Sequence, residues 1–176
     1  MIAEFKPCTL NGNIEAPPSK SMAHRFLIGA ALSKGISKIS GVDYSEDILA
    51  SIECLKALGA EIKADGDTVW INPEGFMNTQ DEPVLKCRES GSTLRFFIPL
   101  ALCLGRKVIL QGSTRLLERP LDVYEELCSE QGFILKKEPN SITLCGKLLS
   151  GNYKIRGDIS SQFITGLIFA LIYLGE

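Results

Sequence analysis

A chain of 176 residues with 45% hydrophobic and 23% charged side chains is long enough for one substantial core and too apolar to stay disordered. A formal net charge of −2 excludes the broad basic face that nonspecific nucleic-acid binding needs, although a local basic cluster can still hold a small anion. Six cysteines without C-x-x-C spacing, and a single histidine, His24, argue against a zinc site. The cysteines read as small core residues of a protein kept in a reducing cytoplasm. The start MIAEFKPC lacks the regions of a signal peptide, and the most apolar segment, 163–174, is too short to span a bilayer, so no membrane role is expected.

In chain order, residues 1–12 read as a strand ending at the turn signal Asn11-Gly12. A short strand over Ile14–Ala16 meets Pro17-Pro18, and a helix over 20–33 follows, with Ser19 as cap and Met22, Ala23, Phe26, Leu27, Ala30 and Ala31 on one stripe. Next come a strand over 36–41, a helix over 45–58, and strands 61–64 and 68–72 joined by the hairpin turn Asp65-Gly66-Asp67. Residues 73–83 are a polar connector. The order then repeats: strand 84–87, helix 91–104 with a kink expected at Pro99, strand 107–111, a loop over 112–120, helix 121–131, and strands 133–137 and 141–145 meeting at Pro139-Asn140. A third round opens with a strand over 152–156 and a helix over 160–174. That helix is apolar nearly all round, which demands burial on several sides.

The repetition is also visible in residues. HRFLIGAAL is echoed by LRFFIPLAL seventy positions later, and three helices open on small polar residues near 20, 91 and 160. The class is α/β, with repeat units at about 13–82, 83–150 and 151–176, the last one unfinished. The 176 residues therefore read as one incomplete domain of a longer protein. Free N–H groups and the helix dipole make each helix start a candidate anion site.

Lys20, Ser21 and Arg25 stand in the first turns of the first helix, and Arg88, Gly91, Ser92 and Arg95 surround the start of the second. Lysine offers a point charge, arginine a planar fork, and glycine lets a ligand approach the backbone. Arg119 precedes a helix-starting proline, and Ser160, Ser161 and Gln162 open the last helix. Each feature alone is equally what an ordinary capped, solvated helix looks like. Pro-Ser-Lys-Ser lacks the glycines of a P-loop, which excludes nucleotide hydrolysis of that kind. His24 reads as a helix-surface or core histidine rather than an acid or base.

PPSKSMAHR, RESGSTLRF, LLERP and GDISSQF, in this order and spacing, resemble the N-terminal portion of the 3-phosphoshikimate 1-carboxyvinyltransferases, the enolpyruvylshikimate-phosphate synthases. The resemblance implies two similar domains, each with βαβαββ units about a pseudo-threefold axis. About two and a half units are present here and the C-terminal domain is missing. It implies transfer of an enolpyruvyl group from phosphoenolpyruvate to the 5-hydroxyl of shikimate 3-phosphate, on the route to chorismate and the aromatic amino acids. No cofactor or metal is implied, and the full-length state is a monomer. Lys20 would touch both substrates, Ser21 and Arg25 the shikimate phosphate side, and Gly91 and Arg119 phosphoenolpyruvate. Ser160 and Ser161 would hold the phosphate of shikimate 3-phosphate, with Gln162 shared between the two ligands. The family's proton-transferring acid and base lie outside these residues, so catalytic residues are unassigned and the fragment alone is expected to be inactive. Where many members read Asn-Ala-Gly-Thr, this chain reads Glu89-Ser90-Gly91-Ser92, which resembles the variant with reduced sensitivity to glyphosate. The related UDP-N-acetylglucosamine enolpyruvyl transferases share the fold but differ where this chain reads PSKS and SSQF. A non-catalytic anion-binding module is the remaining alternative.

Overall fold

Helix α1 spans Lys20–Ala31 because Ser19, in extended conformation, accepts a hydrogen bond from the Met22 N–H, and Pro17 and Pro18 bar helix before it. The computed structural model describes all residues except 1, 2, 5, 8, 10, 80, 81 and 176. After α1 come β1 (Ser37–Ile39), α2 (Glu46–Ala57), β2 (Glu61–Asp65) and β3 (Thr68–Asn72). Glu46 and Asp47 in the first turn of α2 suit its positive end. The second round is β4 (Val84–Arg88), α3 (Gly91–Cys103), β5 (Val108–Gly112), the single turn α4 (Thr114–Leu117), α5 (Asp122–Gln131), β6 (Ile134–Glu138) and β7 (Ser141–Cys145), and α6 (Ser161–Leu174) closes the chain.

The strands form two sheets. The first, ordered β1-β3-β2, is antiparallel throughout, with Lys38 opposite Trp70 and Ile62 opposite Ile71. The second, ordered β4-β5-β7-β6, repeats that arrangement and adds β4 parallel to β5. α2 packs across β4, so each unit closes against the next. One core joins the units: Leu27 and Ile28 of α1, Ile48 and Leu55 of α2, Leu85 of β4, Phe96 and Phe97 of α3, and Phe163 of α6 all lie in it. Burying side chains of this size contributes about 1.5–3 kcal/mol each, which makes the core the main source of stability.

Several expectations are corrected. Residues 14–16 form no strand. Ile14 is 94% exposed, and Pro17 and Pro18, which carry no N–H, stand where a ladder would continue. Residues 152–156 form none either. Tyr153 and Ile155 do turn inward against the core in strand-like alternation, but no described segment pairs with them. The strand expected over 1–12 lies partly outside the described residues, and the described ones there are not in a strand. The supposed loop 112–120 contains α4, capped by Ser113. The helix expected over 91–104 is present as α3, which holds Pro99 within it. α6 is buried on one side rather than several: Phe163, Gly166, Leu167, Phe169 and Ala170 are buried, with α3 as its main neighbour, whereas Ile164, Ile168 and Ile172 are 39%, 48% and 50% exposed.

Candidate functional site

Arg95 and Arg119 converge on Gly91. A Cβ placed at Gly91 would lie 2.8 Å from Nη1 of Arg119 and 3.2 Å from Nη1 of Arg95, so the missing side chain leaves the space between the two guanidinium groups open. Ser90 caps α3 by accepting from the Thr93 N–H at 3.2 Å, which sets Gly91 at the first helical position with its N–H outside the helical ladder. Arg88, just before, has φ 52° and turns the chain into this start. Its carbonyl accepts from the Ser113 N–H at 2.9 Å, tying the loop that carries Arg119 to the end of β4.

Gln162, in the first turn of α6, reaches across to α3. Its Oε1 accepts from Arg95 Nη1 at 2.9 Å and its Nε2 donates to Ser92 Oγ at 2.8 Å. Arg95 also lies over the Phe163 ring, 5.1 Å from its centroid. Burial and the neighbouring Arg119 charge push the Arg95 guanidinium below its ordinary value. Among the described residues neither Arg95 nor Arg119 forms an ion pair with a carboxylate. Two like charges side by side without an acid are what an anion would neutralise.

The α1 residues form a second group. The Lys20 ammonium is ion-paired with Asp47 of α2. Arg25 Nη1 donates to Ser21 Oγ at 2.5 Å and to the Ser21 carbonyl at 2.8 Å, and its guanidinium stacks 5.4 Å from the Phe96 ring of α3. The groups are linked through a buried polar chain. His24 Nδ1 and Ser51 Oγ are 2.7 Å apart, Ser51 Oγ and Thr93 Oγ1 2.8 Å, and Thr93 Oγ1 lies 2.7 Å from Ser90 Oγ and 3.3 Å from the Asp47 carbonyl. Burial lowers His24 to about 4, so it stands neutral in the core.

The structure thus brings Gly91, Arg119 and Gln162 together and adds Arg95 and Ser92. Lys20, Ser21 and Arg25 stand on the adjoining helix. Ser160 caps α6, accepting from the Gln162 N–H at 3.3 Å. Ser161 is exposed, and its carbonyl accepts from Thr165. A groove of about 500 Å³ between α1 and β1 is lined by Arg25, Phe26, Gly29 and Lys38 among others, and by no other candidate residue. Arg95 was legible as part of the second helix start but was not carried into the expected ligand set. The signal lay in the echo between the helices, which aligns it with Arg25.

Comparison with known proteins now bears on this arrangement. A family profile described as EPSP synthase (3-phosphoshikimate 1-carboxyvinyltransferase) matches residues 6–176. The chain belongs to the EPSP synthase family. The 3-phosphoshikimate 1-carboxyvinyltransferase of Clostridium kluyveri is 47% identical over 169 residues, covering 95% of this chain and 39% of that protein. That of Clostridium perfringens is 46% identical over 172 residues, covering 97% of this chain and 41% of its own length. The solved EPSP synthase from Acinetobacter baumannii superposes with a TM-score of 0.73 at 20% identity, over 90% of this chain and 38% of that one, which shows the fold. This chain therefore spans about 40% of the length of the curated relatives it matches. No helix among the described residues is long and apolar enough to cross a membrane.

Proposed function

We propose that this chain supplies the N-terminal, substrate-holding part of an enzyme of the cytoplasm. The enzyme transfers the enolpyruvyl group of phosphoenolpyruvate to the 5-hydroxyl of shikimate 3-phosphate. In this reading the chain comprises repeat units 13–82 and 83–150 and the opening of a third, 151–176, and works with a C-terminal domain that completes the cleft. The family membership supports the reaction class. The observation that carries the site is the pair of guanidinium groups, Arg95 and Arg119, meeting over the side-chain-free face of Gly91 without a carboxylate partner among the described residues. A phosphate there gains charge-assisted hydrogen bonds from both forks and a helix-start N–H.

Lys20, Ser21 and Arg25, with Ser160, Ser161 and Gln162, take shikimate 3-phosphate, and Lys20 and Gln162 also face phosphoenolpyruvate. Lys20 must leave Asp47 in part to do so, a small cost because the lysine is more than half exposed. Transfer requires a proton on the phosphoenolpyruvate methylene and loss of one from the hydroxyl. The residues that supply these proton transfers are assigned to the part of the protein that this chain does not span, while Asp47 is paired with Lys20, and Glu46 and Glu53 with Arg88. The chain by itself is therefore expected to bind ligand weakly and to turn over none. Calorimetric titration of the purified chain with shikimate 3-phosphate and phosphoenolpyruvate checks the first point. Arg25→Ala removes the heat with shikimate 3-phosphate, and Arg119→Ala that with phosphoenolpyruvate. Turnover by the 176 residues alone refutes the assignment of acid and base to the missing part. Absence of binding to both ligands refutes the site.

A further inference from the structure

We propose that Arg95 is a positioning residue that decides which end of the Gln162 amide is offered to the ligand. The proposal rests on the anion-site reading above and gives Arg95 a second role there, exerted through Gln162. A primary amide is nearly symmetric in shape, and its two orientations differ only in whether the oxygen or the NH₂ faces a given neighbour. A guanidinium has donors and no acceptor, so Arg95 Nη1 at 2.9 Å compels Oε1 to face it. Nε2 is then held on Ser92 Oγ at 2.8 Å, with one amide N–H left uncommitted. A donor suits a phosphate or carboxylate; the flipped amide would present an oxygen and repel it.

Three features hold Arg95 in place for this task. Its guanidinium rests on Phe163, its own carbonyl accepts from the Tyr124 hydroxyl at 2.9 Å, and its Nε is buried without a partner, so the side chain is fixed by packing rather than by an acid. The repeat explains why it reaches across helices at all. The corresponding Arg25 folds back on Ser21, four residues earlier, whereas the residue four before Arg95 is Gly91, which has no side chain to receive it. The same glycine that opens the anion site therefore frees Arg95 to bridge α3 and α6.

The test uses the ¹⁵N-labelled 176-residue chain, with the Gln162 side-chain amide signals identified by their loss in Gln162→Glu. In the unsubstituted chain these signals should lie away from free glutamine and exchange slowly. Arg95→Met and Arg95→Lys should both move them to the free-glutamine position, because neither supplies a planar fork, and weaken phosphoenolpyruvate binding by about tenfold. Unmoved Gln162 signals in both variants, measured with backbone spectra that show a folded chain, overturn the proposal. So does full binding retained by Arg95→Lys, which reduces the residue to a charge. If either variant fails to fold, slow amide exchange of Gln162 in the unsubstituted chain supports the proposal and fast exchange overturns it. A chain that binds no phosphoenolpyruvate but whose Gln162 signals move on Arg95 substitution keeps the positioning role and loses the substrate reading.

Discussion

His24 is 1% exposed, its Nδ1 is bound to Ser51, and its Nε2 has no partner, so protonation would place an unmatched charge in the core. Its folded value of about 4 lies below the ordinary 6.5. The unfolded chain therefore takes up a proton between those limits that the folded chain refuses. The resulting stability is complete above about pH 6.5 and is lost as the pH falls towards 4, by about 3 kcal/mol at the limit. Thermal denaturation across this range should show a steeper fall in Tm for the unsubstituted chain than for His24→Asn, whose amide keeps the bond to Ser51 but does not titrate. Equal slopes would place the titrating group elsewhere. Arg88 shows a different balance at the same scale. Its φ of 52° costs on the order of 1 kcal/mol, and its bonds to the exposed Glu46 and the half-buried Glu53 return a similar amount. The residue is kept there by what the turn does for Ser90 and Gly91 rather than by net stability.

Among the elements, the contact that decides the site is α3 against α6. It is close because of Gly166. A Cβ there would lie 2.5 Å from both the Arg95 carbonyl and the Tyr124 hydroxyl, and 3.2 Å from Phe96 Cα. The Tyr124 hydroxyl also lies 2.9 Å from the Phe163 carbonyl, so one buried phenol touches both helices. Gly166→Ala is expected to cost about 3 kcal/mol by overpacking and to lower Tm by roughly 10 °C in a chain this size. It should weaken phosphoenolpyruvate binding as well, since Arg95 and Gln162 sit on the two helices it forces apart. An unchanged Tm would mean that the helices separate at little cost. The two sheets differ for a related reason. Among the described residues β5 has β4 beside it, whereas β1 has no equivalent neighbour.

For the molecule as a whole, uncompensated cations and an exposed apolar face on α6 lie on a chain that spans about 40% of its relatives. Phosphoenolpyruvate at tenfold excess over its Kd should stabilise the folded chain by about 1.4 kcal/mol, a rise of about 4 °C in Tm, and added salt should erase the rise by screening. Gly91→Ala should leave the unliganded Tm close to that of the unsubstituted chain, because the added methyl meets only the terminal atoms of Arg119 and Arg95, and its tightest contact, Arg119, can swing aside. It should also abolish the ligand-induced rise. A rise that survives this substitution would locate the anion elsewhere.

What the sequence by itself determined is local. Ser19, Ser90 and Ser160 start helices, Asp65-Gly66-Asp67 and Pro139-Asn140 turn hairpins, and the echo of HRFLIGAAL in LRFFIPLAL reports a repeated unit, because caps, turns and periodicity act over a few residues. The cations at the helix starts were legible for the same reason. Whether a run of strand-like alternation becomes a strand was not, because that depends on a partner: Tyr153 and Ile155 alternate but pair with no described segment. Only the tertiary structure decided that Lys20 meets Asp47, 27 residues away, and that Arg95 meets Gln162, 67 residues away. Such pairings depend on how closely helices pack, the second of them on the close approach of α3 and α6 that Gly166 permits, and packing distance is a property of the folded core rather than of any one stretch of the chain.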